Sequence, residues 1–127
     1  MAPLFLDIGQ VLCIHLSLIE HYGGHAGVRD IGLLQSAIAM PQSGFGGERL
    51  HKDLFEMAAA YLYHIVQNHP FVDGNKRTGA ASAIIFLAMN DIEIEPDEDG
   101  LVDLTMSVAR GETGKAQITD FFRKRAH

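Results

Sequence analysis

Two neighbouring helical segments constrain the fold of this chain more than any other feature of its sequence. Residues 51–67 carry apolar side chains at the i, i+3, i+4 and i+7 positions of a helix, without a break in the pattern. Residues 75–90 are also predicted to be helical, and from 80 to 89 they are apolar almost all round. Because a helix without a polar face is stable only when it is covered on every side, the second segment is predicted to form the centre of a helical core.

Further helices are predicted on both sides of this pair. Apolar residues recur at helical spacing over Ile8–Tyr22, and a second helix begins near Asp30 and ends before Pro41. An acidic turn at 96–100 is predicted to precede a helix near 101–110, and a short last helix covers Lys115–Arg125. The pattern indicates an all-α fold.

The glycine-rich residues 42–50 interrupt the helical pattern between the second and third helices. Three glycines lie in this stretch, which predicts a mobile loop or a short β-hairpin flap. Phe45 lies within it and is an exposed candidate for contact with another protein. The predicted fold class is therefore an all-α single-domain helical bundle with a short β-hairpin flap.

Length and composition set the remaining bounds. The chain has 127 residues, of which 47% are hydrophobic, enough for one core and too few for two ordinary domains, so residues 1–127 are predicted to form a single domain. Cys13 has no second cysteine to pair with, which favours the reducing cytoplasm. We expect neither a secretion signal nor membrane insertion. The net charge of −6 disfavours direct binding of nucleic acid.

The chemically informative stretch lies between the two best-defined helices. Backbone N–H groups at the start of a helix have no internal partners and lie at the positive end of the helix dipole, so they bind anions. Gly74 lets a phosphate approach closely, Asn75 offers an amide donor, and Lys76 and Arg77 add positive charge. These four residues are predicted to bind nucleotide phosphates.

Two residues beside this predicted phosphate site supply what phosphoryl or nucleotidyl transfer needs. Asp73 is a hard oxygen ligand for Mg²⁺, which commonly takes one or two carboxylates together with phosphate oxygens. His69 is a base near neutral pH and the predicted catalytic residue. Each residue alone is more often a turn, a cap or a solvated charge, but their clustering within nine residues at a helix start favours a functional site.

The same stretch resembles the signature of the Fic/Doc superfamily, His-x-Phe-x-Asp/Glu-Gly-Asn-x-Arg. Flanking segments at 27–37, 53–60 and 68–71 resemble its death-on-curing (Doc) branch, so the similarity covers nearly the whole chain. The resemblance implies a Fic-type helical bundle, in which His69 takes the proton from a target hydroxyl, Asp73 holds Mg²⁺, and residues 74–77 bind ATP phosphates. It makes Phe71 structural and assigns the 42–50 flap, with Phe45, to docking of an extended target segment.

Two positions depart from the pattern of the adenylyltransferases in this superfamily. Lys76 stands in place of a second glycine, and Ala80 stands in place of a second phosphate-binding arginine. Both departures resemble the Doc branch, which implies an inverted nucleotide and transfer of the terminal phosphate to a Ser or Thr hydroxyl. The implied protein is a toxin of a toxin–antitoxin pair that arrests translation, with elongation factor Tu as target and a partly disordered antitoxin as partner.

Alternative functions and several histidine roles remain open on the sequence alone. Transfer of AMP and a catalytically inactive helical binding module are the competing functions. A transition-metal hydrolase using His64, His69 and Asp73 is disfavoured because no known ligand framework is present. His64 is predicted on the polar edge of its helix and His51 toward solvent. The role of His15, a buried residue or a neighbour of a groove, is undecided.

Overall fold

The computed structural model describes residues 2–127 of the chain. In this part, an aspartate directly precedes four of the six α-helices. In each case the aspartate side chain accepts a hydrogen bond from the backbone N–H three residues later, which satisfies one of the free donors of the first turn. The four helices with their caps are α1 (Ile8–Tyr22) after Asp7, α2 (Ile31–Ala39) after Asp30, α3 (Leu54–Asn68) after Asp53, and α5 (Glu98–Ala109) after Asp97. Gly74 precedes α4 (Asn75–Met89), and Gly114 precedes α6 (Lys115–Arg125).

The predicted helices are confirmed, with two corrections at their starts. The third helix begins at Leu54, not at 51, because Asp53 caps it. Residues 96–100 are not a separate acidic turn, because Asp97 is a helix cap and Glu98 and Asp99 form the first turn of α5. Negative side chains are stabilised there by the positive end of the helix dipole.

The core is centred on the contact between α3 and α4, with α1 against α4 and with α2, α5 and α6 against α3. Gly79 permits the close approach of the two central helices, since a Cβ atom there would lie 2.9 Å from Cγ2 of Val66. The expectation that α4 is covered on every side was wrong at one edge. Ile85 is 37% exposed, because neighbouring helices cover the remaining faces of α4 but leave this edge open.

The predicted hairpin flap is present as two short antiparallel strands. β1 (Gly44–Phe45) pairs with β2 (Glu48–Arg49), and the connecting Gly46 and Gly47 have φ of 62° and 83°. Two residues with positive φ suit a tight hairpin turn. Phe45 is 94% exposed at its edge. Among residues 2–127, no helix combines the length and apolar character needed to cross a bilayer.

Candidate active site

The candidate site is the loop of residues 69–74, which joins the C-terminus of α3 to the N-terminus of α4. His69 is the C-cap of α3 and adopts a left-handed conformation, with φ 50° and ψ 54°. Its backbone N–H donates to the carbonyl oxygen of Ile65 at 3.2 Å. This conformation is uncommon for a residue other than glycine and turns the chain sharply out of the helix.

A second segment, residues 27–30, fastens the loop from outside. The backbone N–H groups of Arg29 and Asp30 donate to the carbonyl oxygen of Pro70 at 2.7 and 3.1 Å, and that of Val72 donates to Gly27 at 3.0 Å. The loop is therefore paired like the edge of a small sheet, although it lies between two helices. The sequence alone gave no sign of this pairing.

Phe71 and His15 support the loop from inside the core. Both side chains are almost fully buried, and Nδ1 of His15 lies 3.2 Å from Oγ1 of Thr78 on α4. Burial lowers the pKa of the His15 imidazole below its ordinary 6.5, and the nearby Asp73 carboxylate opposes this shift. His15 is thus a core residue beneath the loop, which resolves its undecided role.

Asn75, the first residue of α4, directs its amide inward and not toward solvent. Its Oδ1 accepts from the backbone N–H of Phe71 at 2.9 Å, and its Nδ2 donates to the Phe71 carbonyl oxygen at 3.0 Å. The same Nδ2 lies 3.2 Å from Nδ1 of His69. The side-chain amide, which we expected to donate to a phosphate, therefore holds the loop and the imidazole, and the backbone N–H of Asn75 is what an anion would meet.

The contact with Asn75 also fixes where the neutral imidazole carries its proton. Because Oδ1 is identified by the N–H group that donates to it, the atom facing His69 is the amide nitrogen, which can only donate. Nδ1 of His69 is then the acceptor, and Nε2 carries the proton. In the described part of the chain Nε2 has no hydrogen-bond partner.

The start of α4 lies next to this imidazole, and we call it the anion cradle because its backbone N–H groups are the expected phosphate donors. Within residues 2–127, the backbone N–H groups of Asn75, Lys76 and Arg77 find no acceptor, and Gly74 precedes them with φ 76°. The Lys76 and Arg77 side chains are exposed. A pocket of about 260 Å³ opens here, and its lining includes Asp73, Gly74, Arg77 and Tyr22, with the Arg77 guanidinium 4.6 Å from the centroid of the Tyr22 ring.

Asp73 forms the other side of the pocket. Its two carboxylate oxygens accept from the backbone N–H groups of His25 at 3.2 Å and Gly74 at 2.8 Å. These two hydrogen bonds are the main reason that the pKa of the Asp73 carboxyl lies below its usual value. Gly24 makes this approach possible, because a Cβ atom there would lie 2.6 Å from Oδ2 of Asp73. The carboxylate stays ionised and retains lone pairs for a Mg²⁺ ion, so the residues fit the expected metal.

The hairpin flap and the site are separate in the structure. No hydrogen bond in the described residues joins β1 or β2 to the 69–74 loop, and Arg49 instead lies over the ring of Phe5, 4.9 Å from its centroid. The role of Phe45 in target docking stays a prediction.

A histidine–lysine cluster lies apart from the loop, and no pattern in the sequence predicted it. Nζ of Lys115 lies 3.2 Å from Nε2 of both His51 and His64. The expectation that His51 faces solvent was wrong, since it is 5% exposed beneath the exit of the hairpin. His64 is turned toward Lys115 on α6. Residues 2–127 contain no group of three or more His, Cys, Asp or Glu side chains arranged to hold a metal.

Comparison with known proteins identifies a matching family and two similar proteins. Residues 5–87 match the sequence model of the Fic/DOC family. The chain is 35% identical over 115 residues to a protein named "Protein kinase doc" from Escherichia phage P1, which covers 91% of this chain and 90% of the relative. It is 44% identical over 78 residues to "Toxin Doc" from Mycolicibacterium smegmatis, covering 61% of this chain and 60% of that protein. The His69, Asp73 and Arg77 positions all lie within the matched range.

Proposed function

The chain belongs to the Fic/DOC family, and on this premise we propose that it is a Doc-like toxin that transfers the terminal phosphate of ATP to a Ser or Thr hydroxyl of a target protein. One observation carries the proposal. The His69 imidazole lies 3.2 Å from the amide of Asn75, at the helix start whose backbone N–H groups have no acceptor in the described residues. A base and an anion site thus lie side by side.

Each residue of the site has a role in this reaction. The N–H groups of residues 75–77 and the Lys76 and Arg77 cations bind the phosphates of ATP, and Gly74 leaves room for their approach. Asp73 would hold Mg²⁺, which neutralises phosphate charge when it is bound. His69 orients the target hydroxyl and accepts its proton as the oxygen–phosphorus bond forms and ADP leaves.

The resting ring has to exchange its proton before Nε2 accepts another. In the neutral ring Nε2 is protonated, because Nδ1 accepts from Asn75. Moving the proton to Nδ1 breaks a contact of 3.2 Å, which is long for a strong hydrogen bond. His69 is exposed, so water can carry this exchange.

Two residues favour phosphate transfer over AMP transfer. The Lys76 side chain stands exposed at the mouth of α4, where it adds bulk and charge beside the phosphate cradle. Ala80 is 8% exposed and contributes to the core, so this turn of α4 supplies no second guanidinium to hold the outer phosphates of a nucleotide in the AMP-transferring pose. The phage relative is named a protein kinase, which supports the same choice.

The partners follow from the proposed function. The target is a cytoplasmic translation factor, for which elongation factor Tu is our candidate, and its modification arrests translation. An antitoxin restrains the activity. This partner is expected because the relative of 44% identity is named a toxin, and toxins of the Doc branch are paired with an antitoxin. The exposed hairpin with Phe45 is the element that we assign to target docking.

The position of the label in ATP tests the reaction. The full chain is incubated with Mg²⁺, a bacterial lysate and ATP labelled at either the α or the γ phosphate. Label from γ-ATP on protein supports the proposal, label from α-ATP assigns AMP transfer instead, and no label on protein from either favours a binding module.

A His69→Ala variant distinguishes the role of His69 as base from ATP binding at the anion cradle. It should lose labelling while it keeps its circular dichroism and its calorimetric binding of ATP with Mg²⁺, because the cradle lies on α4. A folded His69→Ala variant with full labelling activity would refute the role of His69.

A further inference from the structure

The conformation of His69 is held in part by a cation that lies outside the loop. We propose that Arg29 is a positioning residue for His69. Its side chain fixes the backbone conformation of His69 by hydrogen bonding to the C-terminal carbonyl groups of α3. The inference rests on the proposed function, and it concerns a residue outside the His69-to-Arg77 stretch. Arg29 is assigned no contact with ATP or with the target.

The contacts of the Arg29 side chain are specific. Its Nε donates to the carbonyl oxygen of His69 at 2.7 Å, and one terminal nitrogen donates to that of Asn68 at 3.1 Å. Both acceptors are among the last carbonyl groups of α3, which have no partner within the helix and lie at the negative end of its dipole. A guanidinium fits them because its planar fork reaches two neighbouring oxygens at once.

His69 is thereby restrained at its backbone N–H, its carbonyl oxygen and one ring nitrogen. Its N–H donates to Ile65, its carbonyl oxygen accepts from Arg29, and its ring is contacted by Asn75. The left-handed conformation of His69 is costly for a residue with a Cβ atom, so it persists only where the surroundings hold it. The Arg29 contact restrains the carbonyl and with it the peptide plane that leads into Pro70.

Residues 28–30 are anchored to the loop without the Arg29 side chain, so anchoring does not explain its contacts. The backbone N–H groups of Arg29 and Asp30 already bind Pro70, Val28 pairs with Phe71, and Asp30 caps α2. These contacts fix residues 28–30 without the guanidinium. In the described residues Arg29 forms no salt bridge, so its charge is directed to the end of α3 and not to an acidic partner.

Kinetics of two variants test the inference. In Arg29→Gln the ATP-binding groups of α4 are unchanged while His69 loses its fixed orientation. We expect kcat for labelling of the lysate to fall roughly 10- to 100-fold, with KM for ATP changed less than about twofold. Arg29→Lys keeps the charge but not the fork and should recover part of kcat. Arg110→Gln, which removes an exposed arginine paired with Glu112 on the loop after α5, is the matched control.

The outcomes separate positioning from general destabilisation. A fall in kcat alone, in variants with wild-type melting temperature and calorimetric ATP binding, supports the inference. Unchanged kcat in Arg29→Gln overturns it, as does a loss of kcat that only parallels a loss of folded protein. If Arg29→Gln does not fold, Arg29→Lys carries the same test.

A spectroscopic measurement decides the inference even if the proposed function fails. In ¹³C,¹⁵N-labelled protein without ATP, the backbone ¹³Cα and amide resonances of His69 should move in Arg29→Gln and stay in place in Arg110→Gln. If wild type labels no protein but these resonances move, the proposed reaction is wrong and the positioning role stands. Resonances of His69 that are the same in Arg29→Gln and wild type reject the positioning role.

Discussion

The amide nitrogen of Asn75 lies 3.2 Å from Nδ1 of His69, and this contact joins the first residue of one central helix to the residue that ends the other. It couples the proposed base to the anion cradle, because both depend on where α4 begins. It also determines which nitrogen of the neutral ring is protonated.

The tautomer of His69 is the first prediction. Long-range ¹⁵N–¹H correlation spectra of the wild-type protein should show the neutral ring protonated at Nε2, since Nδ1 accepts from Asn75. In Asn75→Asp, a carboxylate oxygen replaces the amide nitrogen and favours a proton on Nδ1. The same tautomer in both proteins would show that the amide does not control the ring.

A matched pair of glycine variants tests the Asp73 carboxylate. Gly23 and Gly24 both have positive φ, of 84° and 109°, so alanine at either position adds backbone strain of about 1–3 kcal/mol. A Cβ at Gly24 would lie 2.6 Å from Oδ2 of Asp73, whereas one at Gly23 meets nothing within 4 Å. Gly24→Ala should therefore raise the Mg²⁺ concentration for half-maximal labelling on the order of tenfold.

The control in this experiment is Gly23→Ala, which shares the strain and leaves the carboxylate in place. Titration of labelling with Mg²⁺ is the measurement. Equal Mg²⁺ responses of the two variants would mean that Asp73 does not hold the metal.

The ring of His15 packs flat on that of Phe71, with centroids 3.9 Å apart and planes at 11°. His15→Ala removes this contact and leaves a cavity beneath the loop, so the free energy of unfolding should fall by about 2–4 kcal/mol in urea denaturation. His15→Phe keeps the aromatic contact and should lose less, although it gives up the contact with Thr78. A loss below about 1 kcal/mol in His15→Ala would contradict a supporting role.

The free energy of unfolding should decrease as the pH is lowered from 6.5 to about 4, because of the cluster at Lys115. Burial, and then the charges of Lys115 and His51, lower the pKa of His64 from 6.5 to about 4. The unfolded chain therefore takes up a proton at this position below pH 6.5, whereas the folded chain does so only near pH 4. Unfolding is favoured across this interval, and the contribution is constant below it.

Urea midpoints measured across that interval test the prediction. His64→Gln keeps an acceptor for Lys115 but does not titrate, so the loss of stability on acidification should be smaller than in wild type. His15 and His51, whose pKa values are lowered mainly by burial, leave a residual slope of the same sign. An identical slope in His64→Gln and wild type would exclude the cluster as its source.

The exposed hairpin provides a test of target docking. Phe45 is 94% exposed, so Phe45→Ala should change the free energy of unfolding by less than about 0.5 kcal/mol. If the hairpin binds the target, labelling of the lysate should fall on the order of tenfold while calorimetric ATP binding is unchanged. Val102→Ala, at a 59% exposed residue of α5, is the control, and equal labelling by both variants would leave the hairpin without a docking role.

The helices and the candidate loop were predictable because their signals are local. Apolar spacing predicted α1 and α3, and the positions of Gly23 and Pro41 predicted where α1 and α2 end. The start of α5 was missed because an aspartate shortly before a glycine is typical both of a turn and of a helix cap. Local sequence does not distinguish these two uses.

The amino-acid sequence by itself determined the number and order of the helices, where the helix start that we propose to bind phosphate lies, and that His69 and Asp73 lie beside it, since all of these depend on spacing along the chain. The tertiary structure alone decided that Arg29 caps α3 across a separation of 40 residues, that His15 meets Thr78 across 63, and that Lys115 meets His51 across 64. The physical reason is that such contacts depend on how the helices pack, and packing is set by the whole core and not by any one segment.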